Sequence, residues 1–306
     1  MDIRYTSPHT AKQGSLRARE DMVVKIDGKS RVCAVIGNPV EHSLSPALHN
    51  AAFAQKELNI CYVAFHVEDL AAAMAGVKGL NLLGLSVTIP HKVAVLDYLD
   101  EVEETARRIG SVNTVLHKEG RLIGYNSDGM GAVRALREAD VPLTGEKVTI
   151  LGSGGAARAI AFTLGKEVAL KEMVLLGVEA EECGRLAGDL EKALPFPVRW
   201  EPMCLETLAR HVPESAGLIH CTPVGMNPRE EQSVLDRQIL HPGQFVFDIV
   251  YNPLKTRLLR EAESVGCRIV PGVEMFIHQA VFQFELWTGK PAPVDSMRRV
   301  VMEALS

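Results

Sequence analysis

The stretch Lys147-Val-Thr-Ile-Leu-Gly-Ser-Gly-Gly-Ala-Ala-Arg158 constrains the fold more than any other part of the chain. Val148 to Leu151 read as an apolar strand that runs into a glycine-rich turn. A small-residue helical stretch, Ala159-Ile-Ala-Phe-Thr-Leu164, follows at once. Gly152, Gly154 and Ala157 fit the spacing G-x-G-x-x-G/A. Gly152 permits the tight turn, and Gly154 lets the backbone approach a pyrophosphate. Ala157 lets the helix pack close to the strand. Unpaired N–H groups at the helix start then face the phosphates, so Ser153, Gly155 and Ala156 belong to the same cradle. A glycine turn alone also closes ordinary strand–helix connections. The strand before it and the helix after it favour dinucleotide binding. The motif sits in mid-chain, so a whole domain precedes it.

A chain of 306 residues accommodates two domains of roughly 100–200 residues each. Its 47% hydrophobic and 23% charged content suits a globular protein. A net charge of −5 offers no electrostatic footprint for nucleic acid. No run approaches the roughly 18 apolar residues of a membrane span. The six cysteines include no C-x-x-C pair and sit mostly in or beside apolar runs. They read as reduced, mostly buried thiols of a cytoplasmic enzyme. The ten histidines show no metal spacing, so no metal is expected. Residues 1–22 lack the apolar run of about 7–15 residues that a secretory signal needs, and read as an arm.

Strands and helices alternate through both halves, which implies an α/β fold with mostly parallel sheets covered on both faces. In the first half, strands are expected over 31–37, 61–67 and 82–89. A helix from Pro46 to Glu57, capped by Ser45, and another over 69–77 lie between them. Two short helices are expected near 92–99 and 101–108. A hairpin over 111–125 turns at Glu119-Gly120, and a helix covers 128–139. The second half has strands over 147–151, 172–176, 216–220, 244–249 and 267–270. Helices over 272–288 and 295–305 follow and should cross back to the first domain.

Several segments could carry chemistry. Ser43-Leu-Ser-Pro46 opens a helix, where two hydroxyls and free N–H groups make an anion site. A plain N-cap at Ser45 explains one serine and leaves Ser43 unexplained. Ser86-Val-Thr-Ile-Pro-His-Lys92 puts Lys92 at the C-terminal edge of a strand, where open α/β sheets place ligands. A lysine there can polarise a carbonyl or exchange a proton, although most lysines are simply solvated. Asn113, in Gly110-Ser-Val-Asn-Thr114, offers donors and an acceptor to hydroxyls, or serves as a turn residue. Asp128, in Gly124-Tyr-Asn-Ser-Asp-Gly129, is a candidate helix cap.

Taken in order, these motifs resemble the shikimate dehydrogenase family from about Val32 to the C-terminus. The resemblance continues through Thr222-Pro-Val-Gly-Met226, Asp248-Ile-Val-Tyr-Asn-Pro253 and Gly272-x-x-Met275-x-x-x-Gln279. It implies an N-terminal α/β substrate domain and a Rossmann-type dinucleotide-binding domain. The first would be 1–127 completed by 276–306, and the second 128–275. It implies NADP-linked reduction of 3-dehydroshikimate to shikimate, a step of aromatic amino acid biosynthesis on the chorismate pathway. Lys92 and Asp128 would be the catalytic pair. Ser43 and Ser45 would hold the substrate carboxylate. Ser86, Thr88, Asn113, Tyr251 and Gln279 would complete the substrate site. Thr222, Val250, Gly272 and Met275 would join the glycine turn on the cofactor side. The expected partner is a small molecule, with no nucleic acid or membrane, and the chain would be a monomer or homodimer.

Two departures stand out. Ser86 occupies a position where the family often has Asn. Gly177-Val-Glu179 and Glu182 replace the family's Asn-Arg-Thr and a later Arg, whose guanidiniums bind the 2′-phosphate of NADP. An acid there favours a free ribose 2′-hydroxyl and repels a 2′-phosphate. Glu179 lies 22 residues after Ala157, near the spacing of about 20 for a ribose-binding acid. NAD is therefore expected to be preferred. A solvated helix start would also account for these acids. Two rivals remain: a quinate/shikimate dehydrogenase or paralogue acting on a related ring acid, and a non-catalytic ligand sensor on the same fold.

Overall fold

The computed structural model describes residues 26–305. The arm expected at residues 1–22 lies outside the described residues. Two six-stranded sheets organise the rest. The first contains β1 (Arg31–Gly37), β2 (Ile60–His66), β3 (Gly84–Val87), β4 (Glu101–Val102), β5 (Thr114–Lys118) and β6 (Arg121–Tyr125). Their order is β2-β1-β3-β5-β6-β4. β1 pairs in parallel with β2 and β3, but β5 is antiparallel to both β3 and β6. This sheet is therefore mixed. The cause is the β5–β6 hairpin, which turns through Glu119 and Gly120 at φ 53° and 76°, the left-handed pair that tight hairpins use.

Local hydrogen bonds moved several expected boundaries. Helix α1 (Ser45–Gln55) begins at Ser45, with Leu44 in the cap position and no side-chain cap. Ser45 is thus inside the helix and does not cap it. The Ser43 hydroxyl instead accepts the Ser45 N–H at 3.3 Å. Helix α2 (Leu70–Gly79) is capped by Asp69. The stretch expected to form two helices at 92–108 splits into a 3-10 turn at Ala94–Tyr98, strand β4 and helix α3 (Glu104–Ile109). Glu103 accepts the Ala106 N–H and so starts α3 late, which frees 101–102 to pair with β6.

The second sheet contains β7 (Lys147–Leu151), β8 (Glu172–Gly177), β9 (Val198–Pro202), β10 (Gly217–His220), β11 (Phe245–Asp248) and β12 (Arg268–Pro271). All its pairs are parallel, in the order β12-β11-β10-β7-β8-β9. Strand β9 escapes a reading by apolar pattern because only Val198 in it is buried. Strand order reverses between β7 and β10. Ligands of open α/β sheets bind beyond the strand ends at that point. Helices α5 (Gly155–Glu167) and α6 (Ala180–Ala193) share one face's core with Val148, Ile150 and Leu175. Helices α7 (Leu205–His211) and α8 (Arg257–Val265) share the other with Leu151, Val174 and Leu218. No helix among the described residues is long and apolar enough to cross a membrane.

Helix α4 (Ser127–Glu138) connects the sheets and packs on α5 and on α9 (Gly272–Thr288). Its cap is Asn126, whose side chain accepts the Asp128 N–H at 3.1 Å. Asp128 is therefore not the cap, and its carboxylate is free to point elsewhere. Two glycines make the packing possible. A Cβ on Gly129 would collide with Thr163 and the Ala159 carbonyl of α5. A Cβ on Gly131 would stand 2.8 Å from the Gln279 nitrogen and the Met275 carbonyl of α9. Beyond that crossing, α9 enters the first sheet's core. Phe276, Ile277, Val281, Phe284 and Trp287 pack there with Val35, Leu48 and Phe53. Met297 and Val301 of helix α10 (Val294–Leu305) join them.

His49 is buried beside Phe53 and Trp287 of that core. His49 stacks on Tyr62 with ring centroids 4.5 Å apart, and its Nδ1 has no partner among the described residues. Burial pushes its pKa from 6.5 down to about 3, so the folded protein keeps it neutral. An unfolded chain would protonate it below its ordinary value of 6.5. Its contribution to stability is therefore full above that value and is lost as the pH falls towards about 3.

Two outcomes follow from this packing. Gly131→Ala should lower stability by about 1–3 kcal/mol through overpacking, read as a lower urea midpoint; an unchanged midpoint would mean that α4 and α9 can separate freely. His49→Phe should flatten the fall in Tm between about pH 6.5 and 4 relative to wild type. Parallel Tm profiles would show that His49 is not what titrates.

Candidate active site

The crevice lies between the two sheets, where strand ends from both converge. β3 ends at Val87, and the following Thr88-Ile-Pro-His turn delivers Lys92. The Lys92 carbonyl accepts the Val112 N–H at 2.8 Å, which holds that turn against the run into β5. Asn113 sits on this run, one residue before β5, and Asp128 sits in the first turn of α4.

These elements bring Lys92 and Asp128 together. Lys92 Nζ donates to Asp128 Oδ2 at 2.7 Å, with the carboxylate side chain 9% exposed and the lysine 32%. Asn113 Nδ2 donates to the other oxygen, Oδ1, at 2.7 Å. The N-terminal end of α4 adds the positive end of a helix dipole. One face of the lysine stays open to the cleft, so the pair is both ordered and reachable.

The cleft has a volume of about 500 Å³. Ser43, Ser45, Ser86, Thr88, Lys92, Asn113, Asp128, Tyr251 and Gln279 all line it. From the second sheet's side, Ala156, Gly272 and Met275 reach the same space. Gln279 Oε1 lies 3.4 Å from Asn113 Nδ2. Tyr251 stacks on Phe276 with ring centroids 5.1 Å apart, and burial raises its phenol above the ordinary tyrosine value.

The glycine turn lies beside this cleft rather than in it. Gly152 has φ 107°, in the region that favours glycine, and a Cβ there would stand 3.2 Å from the Cys221 carbonyl. A Cβ on Gly154 or Gly155 would meet no atom within 4 Å. Gly154 caps α5 without any side-chain cap, so the first N–H groups of α5 face an open cradle. That shape and polarity fit a pyrophosphate. Thr222 follows Cys221, and its hydroxyl accepts the Val224 N–H at 3.3 Å. Val250 is buried, with its N–H donated to Asp248 Oδ1 at 3.0 Å.

At the end of β8 the acids divide. Glu179 occupies the cap position of α6 without a side-chain cap bond and is exposed. Glu182 reaches back, and Ser153 Oγ of the glycine turn donates to its Oε2 at 2.8 Å. Spacing alone pointed to Glu179, yet Glu182 is the acid that touches the turn. Helix α6 starts at Ala180 and turns Glu182 towards β7.

Sequence reasoning also missed Gln283, which lines the cleft. It lies one helical turn beyond Gln279, on the same face of α9, and that i, i+4 spacing was the available signal. Elsewhere, Glu138, Glu274 and His278 bring three potential ligand atoms within 4.8 Å of one another. The Arg298 guanidinium already pairs with both carboxylates there, at 3.4 Å and 2.7 Å, so the cluster reads as an ion-pair network.

Comparison with known proteins agrees with this geometry. The family described as the shikimate dehydrogenase substrate binding domain matches residues 35–115, and the shikimate 5'-dehydrogenase C-terminal domain matches residues 272–302. A shikimate dehydrogenase (NADP(+)) of Moorella thermoacetica is 44% identical over 287 residues, 92% of this chain and 96% of that protein. The crystal structure of shikimate 5-dehydrogenase from Listeria monocytogenes, in complex with shikimate and NAD, superposes with a TM-score of 0.87. It is 35% identical and covers 90% of this chain and 98% of its own. Quinate dehydrogenase from Corynebacterium glutamicum in complex with NAD has a TM-score of 0.83 at 29% identity, covering 90% and 99%. At such identity across nearly the whole of both sequences, the chain belongs to the shikimate dehydrogenase family.

Proposed function

We propose that this protein is a shikimate dehydrogenase, interconverting 3-dehydroshikimate and shikimate with a nicotinamide cofactor. The observation that carries the reading is the 2.7 Å Lys92–Asp128 contact in a cleft shared by both sheets. We assign residues 1–127 with 276–306 to substrate binding and 128–275 to the dinucleotide. The small-molecule substrate would bind in the cleft of a cytoplasmic monomer or homodimer.

A bound nicotinamide supplies or takes the hydride. The chain's own residues do the rest. Ser43 and Ser45 hold the substrate carboxylate. Their hydroxyls lie at the start of α1, where the helix dipole favours an anion. Thr88, Asn113, Tyr251 and Gln279 orient the ring. Lys92 Nζ stabilises the developing alkoxide and donates the proton in reduction, or takes it back in oxidation. Asp128 aims Lys92 and holds a neighbouring hydroxyl. Gly152 to Ala156 seat the pyrophosphate, with Thr222, Val250, Gly272 and Met275 around the rest of the dinucleotide. A ligand sensor would have no use for this lysine–carboxylate pair.

For the cofactor we infer a preference for NAD. The end of β8 and the turn after it carry Gly177, Val178 and Glu179, with Glu182 following, where the family's arginines would clamp a 2′-phosphate. The Glu182 carboxylate on Ser153 adds a negative charge beside the phosphate turn, which disfavours an additional phosphate. Quinate remains a second substrate reading, because Ser86 departs from the family's usual asparagine in the ring site.

The decisive assay follows nicotinamide absorbance with shikimate and quinate, each against NAD and NADP. Shikimate with NAD should give the highest kcat/KM. Lys92→Ala and Asp128→Asn should each lower kcat by about 10²–10⁴-fold with smaller changes in KM, and wild-type turnover in either would end the assignment. Glu182→Arg should shift the ratio of kcat/KM towards NADP by about tenfold or more. A wild-type preference for NADP would show that this loop reads the ribose in another way.

A further inference from the structure

A network of buried hydrogen bonds runs beneath the cleft. Its anchor is the Ser127 N–H, which can only donate. It points at Asn113 Oδ1 at 2.7 Å, so the Asn113 amide must turn its NH2 towards Asp128. Thr114 Oγ1 and the Ser127 hydroxyl lie 2.9 Å and 3.1 Å from the same Asn113 oxygen and 3.0 Å from each other, so one of these hydroxyls fills its second lone pair.

Gln283 Nε2 donates to Thr114 Oγ1 at 3.0 Å. That orientation turns Gln283 Oε1 towards Ser86 Oγ at 2.9 Å and His49 Nε2 at 3.3 Å. A carbonyl oxygen cannot donate, so the single Ser86 proton is committed to Gln283. Tyr62 donates to Ser86 Oγ at 2.6 Å. Ser86 is left with one lone pair and no proton for the cleft that it lines.

We propose that Gln283 is a positioning residue that holds Ser86 as a pure hydrogen-bond acceptor, so that this corner of the cleft selects a ring hydroxyl over a ring carbonyl or carboxylate. The proposal rests on the shikimate reading above and deepens it. The reacting oxygen alternates between alcohol and ketone. An acceptor-only group suits one of those states and repels the other. Ser86 therefore faces a hydroxyl that the reaction leaves unchanged. An asparagine at this position would offer both a donor and an acceptor and make no such choice. Gln283 is 4% exposed and acts through Ser86.

The test is a double-mutant cycle in the full-length enzyme, reading KM for shikimate and kcat with saturating cofactor. Ser86→Ala and Gln283→Leu should each raise KM about 3–10-fold, the worth of one neutral hydrogen bond. In both, kcat should stay within about threefold of wild type. The double variant should be no worse than the weaker single variant, because both remove one interaction. Gln283→Glu retains an oxygen for the Ser86 proton and should recover part of the KM loss. It also keeps the question open to measurement if the leucine variant fails to fold.

Additive effects of Ser86→Ala and Gln283→Leu would overturn the role of Gln283 while leaving the activity reading intact. A wild-type enzyme that does not turn over shikimate would remove the activity reading, and this assignment with it.

Discussion

Everything in the active site depends on how closely helix α4 can approach two neighbours at once. Its first turn carries Asp128, while one side presses on α5 and another on α9. Only glycine at 129 and 131 allows both approaches. α5 begins at the glycine turn, and α9 carries Gln279 and Gln283. The spacing of α4 therefore sets the distance between that turn, the carboxylate and the returning glutamines. Close packing makes that distance rigid, because protein interiors have little free volume to absorb a shift.

The lysine–carboxylate pair gains its order from neighbours rather than from its own charge. Asn126 takes over the capping task and so releases the Asp128 carboxylate from it. Asn113 then holds one carboxylate oxygen and Lys92 the other. Three segments converge on one group: the turn after β3, the run into β5 and the start of α4. A partly exposed ion pair contributes little to stability by itself. Its consequence is an ammonium of fixed orientation beside the cleft, which in the proposed reaction would meet developing negative charge.

Much of this was legible from local pattern. The glycine turn, the β5–β6 hairpin at Glu119-Gly120 and the span of α9 each follow from short-range backbone chemistry. The misses share a physical cause as well. Strand β9 has one buried residue and no apolar run to reveal it. β4 is two residues long and exists because Glu103 delays the next helix. Ser45 and Asp128 resembled caps because their types suit caps, yet Leu44 and Asn126 hold those positions. Competition between adjacent candidates is decided by backbone dihedral angles, which residue type only biases.

By itself, the sequence determined the α/β class, the strand–glycine turn–helix motif and the set of side chains from which a site could be built. It also determined that arginines are absent from the loop after β8. Only the tertiary structure decided which acid meets the glycine turn. Glu182 reaches Ser153 and Glu179 does not, because the helix start rotates one inward and leaves the other in solvent. Only the tertiary structure, likewise, joined the buried hydrogen bonds into one network. Ser127, Asn113, Thr114, Gln283, Ser86 and Tyr62 come from five separate elements and the run before β5. Such a network is a property of contacts between elements, and no spacing along one chain segment encodes it.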